Sequence, residues 1–247
     1  MMNTLGIVHV PRTPDHVEAK FVRKLGGKSL LELVVRRATD CQRLDAVVIV
    51  GGDPQQDELI AQLAPPDVPV FAGRQGDALA RAAAAAVQFG ARSIVRICTC
   101  HPFVDPVLID RLVSTADAHP ACDYVGYCRS DGRPAIYSQV GVFAEWCSTA
   151  ALRRTDRVAT RAVDRDQVTS YIVGHPETFT VRLVPLPHEL DRDDLRLRVE
   201  SEEDWEHAQV IFDALGHEEW DWRRVAELLD HQHALRRRMA LLNGAAA

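Results

Sequence analysis

The chain is 247 residues long, 47% hydrophobic and 26% charged, with a formal net charge of −6. That length buries one substantial α/β core without requiring a second domain. The mild acidity, with no run of like charge beyond Arg236-Arg237-Arg238 and the short stretch Asp191 to Asp194, argues against nucleic acid as a partner.

The opening MMNTLGIVHV is too short for a secretory leader and no segment approaches a membrane span, so a cytoplasmic location is expected. Cys41, Cys98, Cys100, Cys122, Cys128 and Cys147 form no secreted disulfide framework, and free, mostly buried thiols are expected.

In chain order, Val- and Ile-rich runs alternate with amphipathic stretches. Strands are predicted at Leu5 to Val10, Ala46 to Val50, Val68 to Phe71, Ser93 to Ile97 and Asp123 to Tyr127. Helices are predicted at Leu30 to Thr39, Pro54 to Leu63, Asp77 to Phe89 and Pro106 to Ala118. Right-handed crossovers turn this alternation into a mostly parallel sheet with helices on both faces, a three-layer α/β/α (Rossmann-like) domain. After the turn signal Ser130-Asp131-Gly132, Ala135 to Phe143 reads as a small β-ribbon or antiparallel edge. Helices near Glu145 to Arg153 and Asp166 to Val173 follow, then strands at Phe179 to Leu183 and Leu195 to Val199, and a helix capped by Ser201. The tail from Glu219 to Leu242 carries helical periodicity, so the chain divides into a domain at 1–216 and a C-terminal helical extension at 217–247.

The stretch from Ile94 to Val113 is the most informative. A buried strand ends before His101-Pro102, and Asp105-Pro106 then caps a helix with Pro at its first position. Ligands in open α/β sheets sit beyond the carboxyl ends of strands, which makes Cys98, Thr99, Cys100 and His101 the expected pocket floor. Two thiols on one strand face suit a soft metal, and Cys100 beside His101 suits a nucleophile pair; buried packing is the plainer use of the same residues. Seven other histidines (His119, His175, His188, His207, His217, His231 and His233) have no converging ligand spacing and read as solvated. Trp205, Trp220, Trp222 and Phe212 read as helix-packing core, with a homodimer seam as the functional alternative.

Segments spanning most of the chain carry a resemblance: LGGKSLLELVVRRA after Lys20, VPVFAGRQGDALAR, ARSIVRI with HPFVDPVLID, DQVTSYIVGHPETF and DLRLRVESEEDWEHAQVIFDAL. In them the chain resembles the sugar-acid cytidylyltransferases, and within these the spore-coat polysaccharide biosynthesis type related to acylneuraminate cytidylyltransferases. The resemblance implies a nucleotidyltransferase-like fold and attack of a sugar-acid hydroxyl on the α-phosphorus of CTP, giving a CMP-sugar and pyrophosphate.

By that resemblance, Lys20 and Arg12 hold phosphates, Gly73, Asp77, Arg81 and Arg96 border the nucleotide, and Glu200 binds Mg2+. Asp77 and Arg81 also read as a helix cap and a surface ion pair, and Arg96 as a structural arginine that needs an acidic partner when buried.

Three departures stand against ordinary catalysis. The loop HVPRTPDHVEAK lacks the family's glycines and has His16 in place of a second arginine. Cys100 replaces the first metal aspartate and Glu200 the second. Asp166-Gln167 replaces an acid-histidine pair. A catalytically degenerate relative, acting as a nucleotide-sugar-binding or assembly partner in glycan synthesis, is the alternative function; a transferase that uses no CTP is a third.

Overall fold

The computed structural model describes residues 2–12, 20–51, 53–71, 77–216 and 221–245. At its centre β1 (Met2–Val10) pairs in parallel with β4 (Ala46–Gly51) on one side and β5 (Ala91–Cys98) on the other. Beyond β5 lie β7 (Glu145–Ser148), β6 (Tyr124–Cys128) and β8 (Val181–Pro185), giving the order β4-β1-β5-β7-β6-β8. Only β7 runs antiparallel to its neighbours; β6 and β8 pair in parallel. The predicted strand at Val68 to Phe71 contributes one parallel bridge, Ile49 to Val70, at the outer edge.

The sheet is covered on both faces, which explains why its strands read as continuous apolar runs. Side chains alternate across it: Val8 and Val10 join one core with Val95 and Ile97, while Leu5 and Ile7 join the other with Ile94. The first core is closed by α1 (Leu30–Thr39), α4 (Pro106–Asp117) and α8 (Glu202–Leu215), the second by α3 (Ala78–Gln88), α5 (Thr149–Val158) and α7 (Ser170–Gly174). Short α2 (Asp57–Leu63) follows β4, and α6 (Ala162–Asp166) precedes α7. Five helices start where the sequence supplies an oxygen: Ser29, Asp77, Asp105, Ser148 and Ser201 accept backbone N–H groups of their first turns.

The tail forms α9 (Trp222–His231) and α10 (His233–Ala245), whose Trp222, Val225, Leu229 and Met239 enter the first core. Asp105 ties this unit down, one carboxylate oxygen capping α4 and the other accepting the Trp222 N–H at 2.9 Å. Among the described residues no helix is long and apolar enough to cross a membrane.

Three expectations are corrected. The ribbon expected at Ala135 to Phe143 is absent: one 3-10 turn, Ala135–Tyr137, leads into buried loop whose carbonyls at Gln139 and Val142 accept from Leu197 and Asp105. Gly141, at φ +66°, breaks any extended run there. The small ribbon lies instead at β2 (Lys24–Leu25) and β3 (Lys28–Ser29), joined by Gly26 and Gly27, both at positive φ. The helix expected at Glu145 begins only at Thr149, because Glu145 to Cys147 are held in the sheet between β5 and β6. The strand expected at Leu195 to Val199 is an unpaired extended segment, fixed by Leu197 N–H to Gln139 and Val199 N–H to the Cys100 carbonyl at 2.9 Å.

Candidate functional site

The carboxyl ends of β1 and β5 open into a cleft of about 470 Å³. From β1 come His9, Pro11 and Arg12; from β5 Arg96 and Cys98, followed by Thr99 and Cys100; from the 3-10 turn Lys20–Val22, Lys20 and Phe21; and from the segment before α8, Arg198, Val199 and Glu200. The bond from Val199 N–H to the Cys100 carbonyl lays that last segment against the end of β5. Lys20, Arg12, Arg96, Cys98, Cys100 and Glu200, chosen from widely separated parts of the sequence, therefore share one cleft. The Arg12 side chain is largely exposed and pairs with Asp53 at 3.2 Å.

His101 is buried behind this floor, and its Nδ1 bonds the Phe143 carbonyl at 3.0 Å. Since a carbonyl only accepts, Nδ1 carries the proton. The ring borders a second, smaller hollow of about 90 Å³ with Arg96, Arg198, Gln167 and Thr169. Burial foremost, then the nearby positive charge of Arg198, pushes the His101 pKa down to about 3. Its engaged Nδ1 and its reluctance to hold a second proton make it a poor base partner for Cys100.

Two residues expected at the nucleotide, Asp77 and Arg81, are not among the residues that line this cleft, although Ala78, next to Asp77, is. Asp77 caps α3 through the Ala80 N–H and forms an ion pair with Arg165. Arg81 is not the surface residue of the ion-pair reading: it is 1% exposed, donating from Nε to the Gly51 carbonyl at 2.6 Å and from Nη2 to Asp57 at 2.5 Å. It ties α3 to the end of β4 and the start of α2 and is not itself among the cleft-lining residues, although its charge reaches His9, which is. Gly73 and His16 lie outside the described residues.

The free-thiol expectation is corrected at two positions. Cys98 and Cys100 are joined as a disulfide, with Cα atoms 5.2 Å apart, while Cys41, Cys122, Cys128 and Cys147 are free. β5 ends at Cys98 and the chain turns at Thr99 and Cys100, which brings the two sulfurs within bonding reach. A disulfide offers neither thiolate to a soft metal nor a hard ligand to magnesium.

Glu200, the other residue at the implied metal position, is engaged by Arg198 Nη2. No group of three His, Cys, Asp or Glu side chains among the described residues is arranged to hold a metal ion. The residues present do not fit Mg2+.

Several side chains at the cleft escaped the sequence reading. Arg96 does find the acid that burial demands, Glu145 at 2.8 Å, whose carboxylate also accepts from the hydroxyls of Tyr124 at 2.7 Å and Thr169 at 2.8 Å. Burial, with the adjacent Glu145 charge, pushes the Tyr124 hydroxyl pKa far up, so it stays a donor. His9, 2% exposed, has its pKa lowered to about 3 by burial first, then by Arg96 and Arg81. Arg198 was read only as part of a strand, although LRLRV places two arginines on one face. His207, read as solvated, is buried on α8.

Comparison with known proteins gives the frame a lineage. The chain is 26% identical over 233 residues to an uncharacterized protein of Methanocaldococcus jannaschii, covering 93% of this chain and 91% of that one. It is 24% identical over 222 residues to the spore coat polysaccharide biosynthesis protein SpsF of Bacillus subtilis, covering 87% and 89%. A cytidylyltransferase from Leptospira borgpetersenii superposes with a TM-score of 0.78 at 18% identity, covering 94% of this chain and 95% of that one. The description MobA-like NTP transferase domain matches residues 16–202, which hold β4, β5, Lys20 and the Glu200 segment. With its likeness to the sugar-acid cytidylyltransferases set on that frame, the chain belongs to the MobA-like NTP transferase domain family.

Proposed function

We propose that this chain binds a cytidine nucleotide, CTP or a CMP-sugar, in the cleft at the ends of β1 and β5, and serves glycan or polysaccharide synthesis as a nucleotide-holding family member. One observation carries the reading: four cationic side chains, Arg12, Lys20, Arg96 and Arg198, line a single cleft in which, among the described lining residues, the carboxylates are Asp166 and Glu200. A polyphosphate is the ligand class such a field selects. The choice of cytidine and of a sugar rests on the likeness to SpsF and to the cytidylyltransferase fold.

Transfer of CMP from CTP to an acidic sugar is the second reading. It is favoured by Lys20 and Arg12 lining the same cleft as Glu200, where they would neutralise a triphosphate during displacement of pyrophosphate. Against it stand the disulfide at Cys100 and the engaged carboxylate of Glu200.

Calorimetry with CTP, paired with a pyrophosphate-release assay over a panel of acidic sugars in Mg2+ or Mn2+, tests both. Heat on mixing with CTP and no pyrophosphate is the expected result. Pyrophosphate release establishes transfer in its place, and the absence of heat with CTP and with CMP defeats the nucleotide reading altogether.

A further inference from the structure

We infer that Arg198 supplies, as a fixed part of the protein, the positive charge for which relatives use a divalent cation, so that the cleft grips a polyphosphate without metal. The inference rests on the nucleotide-binding reading and adds how the phosphates are held.

The placement is built. Two backbone bonds to the Gln139 carbonyl, from Leu197 at 2.9 Å and Arg198 at 3.3 Å, and one from Val199 to Cys100 fix the segment beside the end of β5. Gly141 makes the approach feasible: a Cβ there would lie 2.6 Å from both the backbone N and Cγ of Arg198. The guanidinium so held has a side chain only 21% exposed and binds Glu200 through Nη2, at the position where the resemblance sets the metal.

Its chemistry also asks for an anion. The Nε atoms of Arg198 and of Arg96 are both buried and have no hydrogen-bond partner among the described residues. Each arginine meets one carboxylate, Glu200 and Glu145 respectively. Burial and the neighbouring Arg96 charge both disfavour the Arg198 cation, and an anion bound between them relieves this. A second cation of charge two in the same place would meet Arg12, Lys20, Arg96 and Arg198, with Glu200, already engaged by Arg198, and Asp166 as the carboxylates of the described lining. Arginine keeps its charge at any working pH and forks onto phosphate oxygens, so it provides directed donors as well as charge.

The test is calorimetry with inorganic tripolyphosphate and with CTP, each in EDTA and in excess Mg2+, on the full chain and on Arg198→Met, Arg198→Lys and Glu200→Gln. Both ligands should bind in EDTA, with no gain from Mg2+. Arg198→Met should weaken that binding by about tenfold or more, and Arg198→Lys by less, since a point charge replaces the fork. Glu200→Gln gives the sharpest sign: removing a negative charge should tighten anion binding severalfold, whereas loss of a metal ligand should weaken it. Glu200 is exposed enough that this variant tests binding without endangering the fold.

Binding of CTP only when Mg2+ is present, or weaker binding by Glu200→Gln, overturns the inference while leaving the nucleotide reading in place. Tripolyphosphate binding in EDTA with CTP no tighter does the reverse. Failure of both ligands under all conditions overturns both.

Discussion

At the end of β5 one residue of spacing decides what the cleft floor can do. β5 ends at Cys98 and the chain turns through Thr99 and Cys100, so the two sulfurs meet and close a small loop around Thr99. Of six cysteines, four are free. Denatured, unreduced protein should therefore react with four equivalents of a thiol reagent, and with six after reduction. Six equivalents before reduction would show that the pair is open.

The close spacing of the two cysteines is legible in the sequence, yet the cellular compartment, from which free thiols are expected, says nothing about two thiols brought together by a turn. Arg96 shows a similar divide. Its need for an acid was readable, but Glu145 could not be named because it lies 49 positions away in a strand that looked like the start of a helix.

At the scale of one element, the segment leading into α8 shows how a cap positions the site. Ser201 and Asp204 form a capping box, and Asp204 also accepts the Glu200 N–H at 3.0 Å. The same buried carboxylate takes Arg196 Nε at 2.5 Å and Nη2 at 3.1 Å. It thus holds the helix start and both ends of the run that carries Arg198.

Asp204→Ala should cost about 3–5 kcal/mol in denaturant unfolding, because Arg196 is left as an uncompensated buried charge. It should also loosen the cleft and weaken polyphosphate binding. A loss below about 1 kcal/mol would mean that the pair is dispensable, like an exposed one.

Elements with such caps were the legible ones. Helix α1 has the predicted bounds, and α3 and α4 begin and end within a residue of theirs, since Ser29, Asp77 and Asp105 mark their starts in the sequence. Residues 135–143 and 195–199 misled because their apolar content is that of strands. Their backbone groups are spent on each other and on Asp105 and Cys100, a long-range arrangement that periodicity does not encode.

Across the whole molecule, buried histidines link the site to stability. His9 lies near the end of β1, His101 follows β5 and His207 sits inside α8, and all three are buried. Burial is the leading cause of the lowered pKa in each. Arg96 and Arg81 add to it at His9, Arg198 and Arg96 at His101, and Arg238 and Arg196 at His207, where Asp204 and Glu206 oppose it.

A folded-state pKa near 3 against an unfolded value of 6.5 means that below pH 6.5 the unfolded chain binds more protons. Stability is therefore complete above that pH and falls as the solution is acidified toward pH 3. Each such group contributes about 1.4 kcal/mol per pH unit once well below 6.5, so His9 and His101 together remove roughly 2.7 kcal/mol per unit. Acidification from pH 6.5 to 4 by this route removes about 6–7 kcal/mol, which is comparable with the lower end of a total stability of about 5–15 kcal/mol. The upper part of this window, between pH 6.5 and 5, lies above the ordinary range of carboxylates and so belongs to the histidines. Urea midpoints measured from pH 7.5 to 4.5 should fall along this course, and His9→Gln and His101→Gln should each flatten it. A midpoint that stays constant down to pH 5 would mean that these rings titrate as they do in water, and that the floor of the cleft is wet.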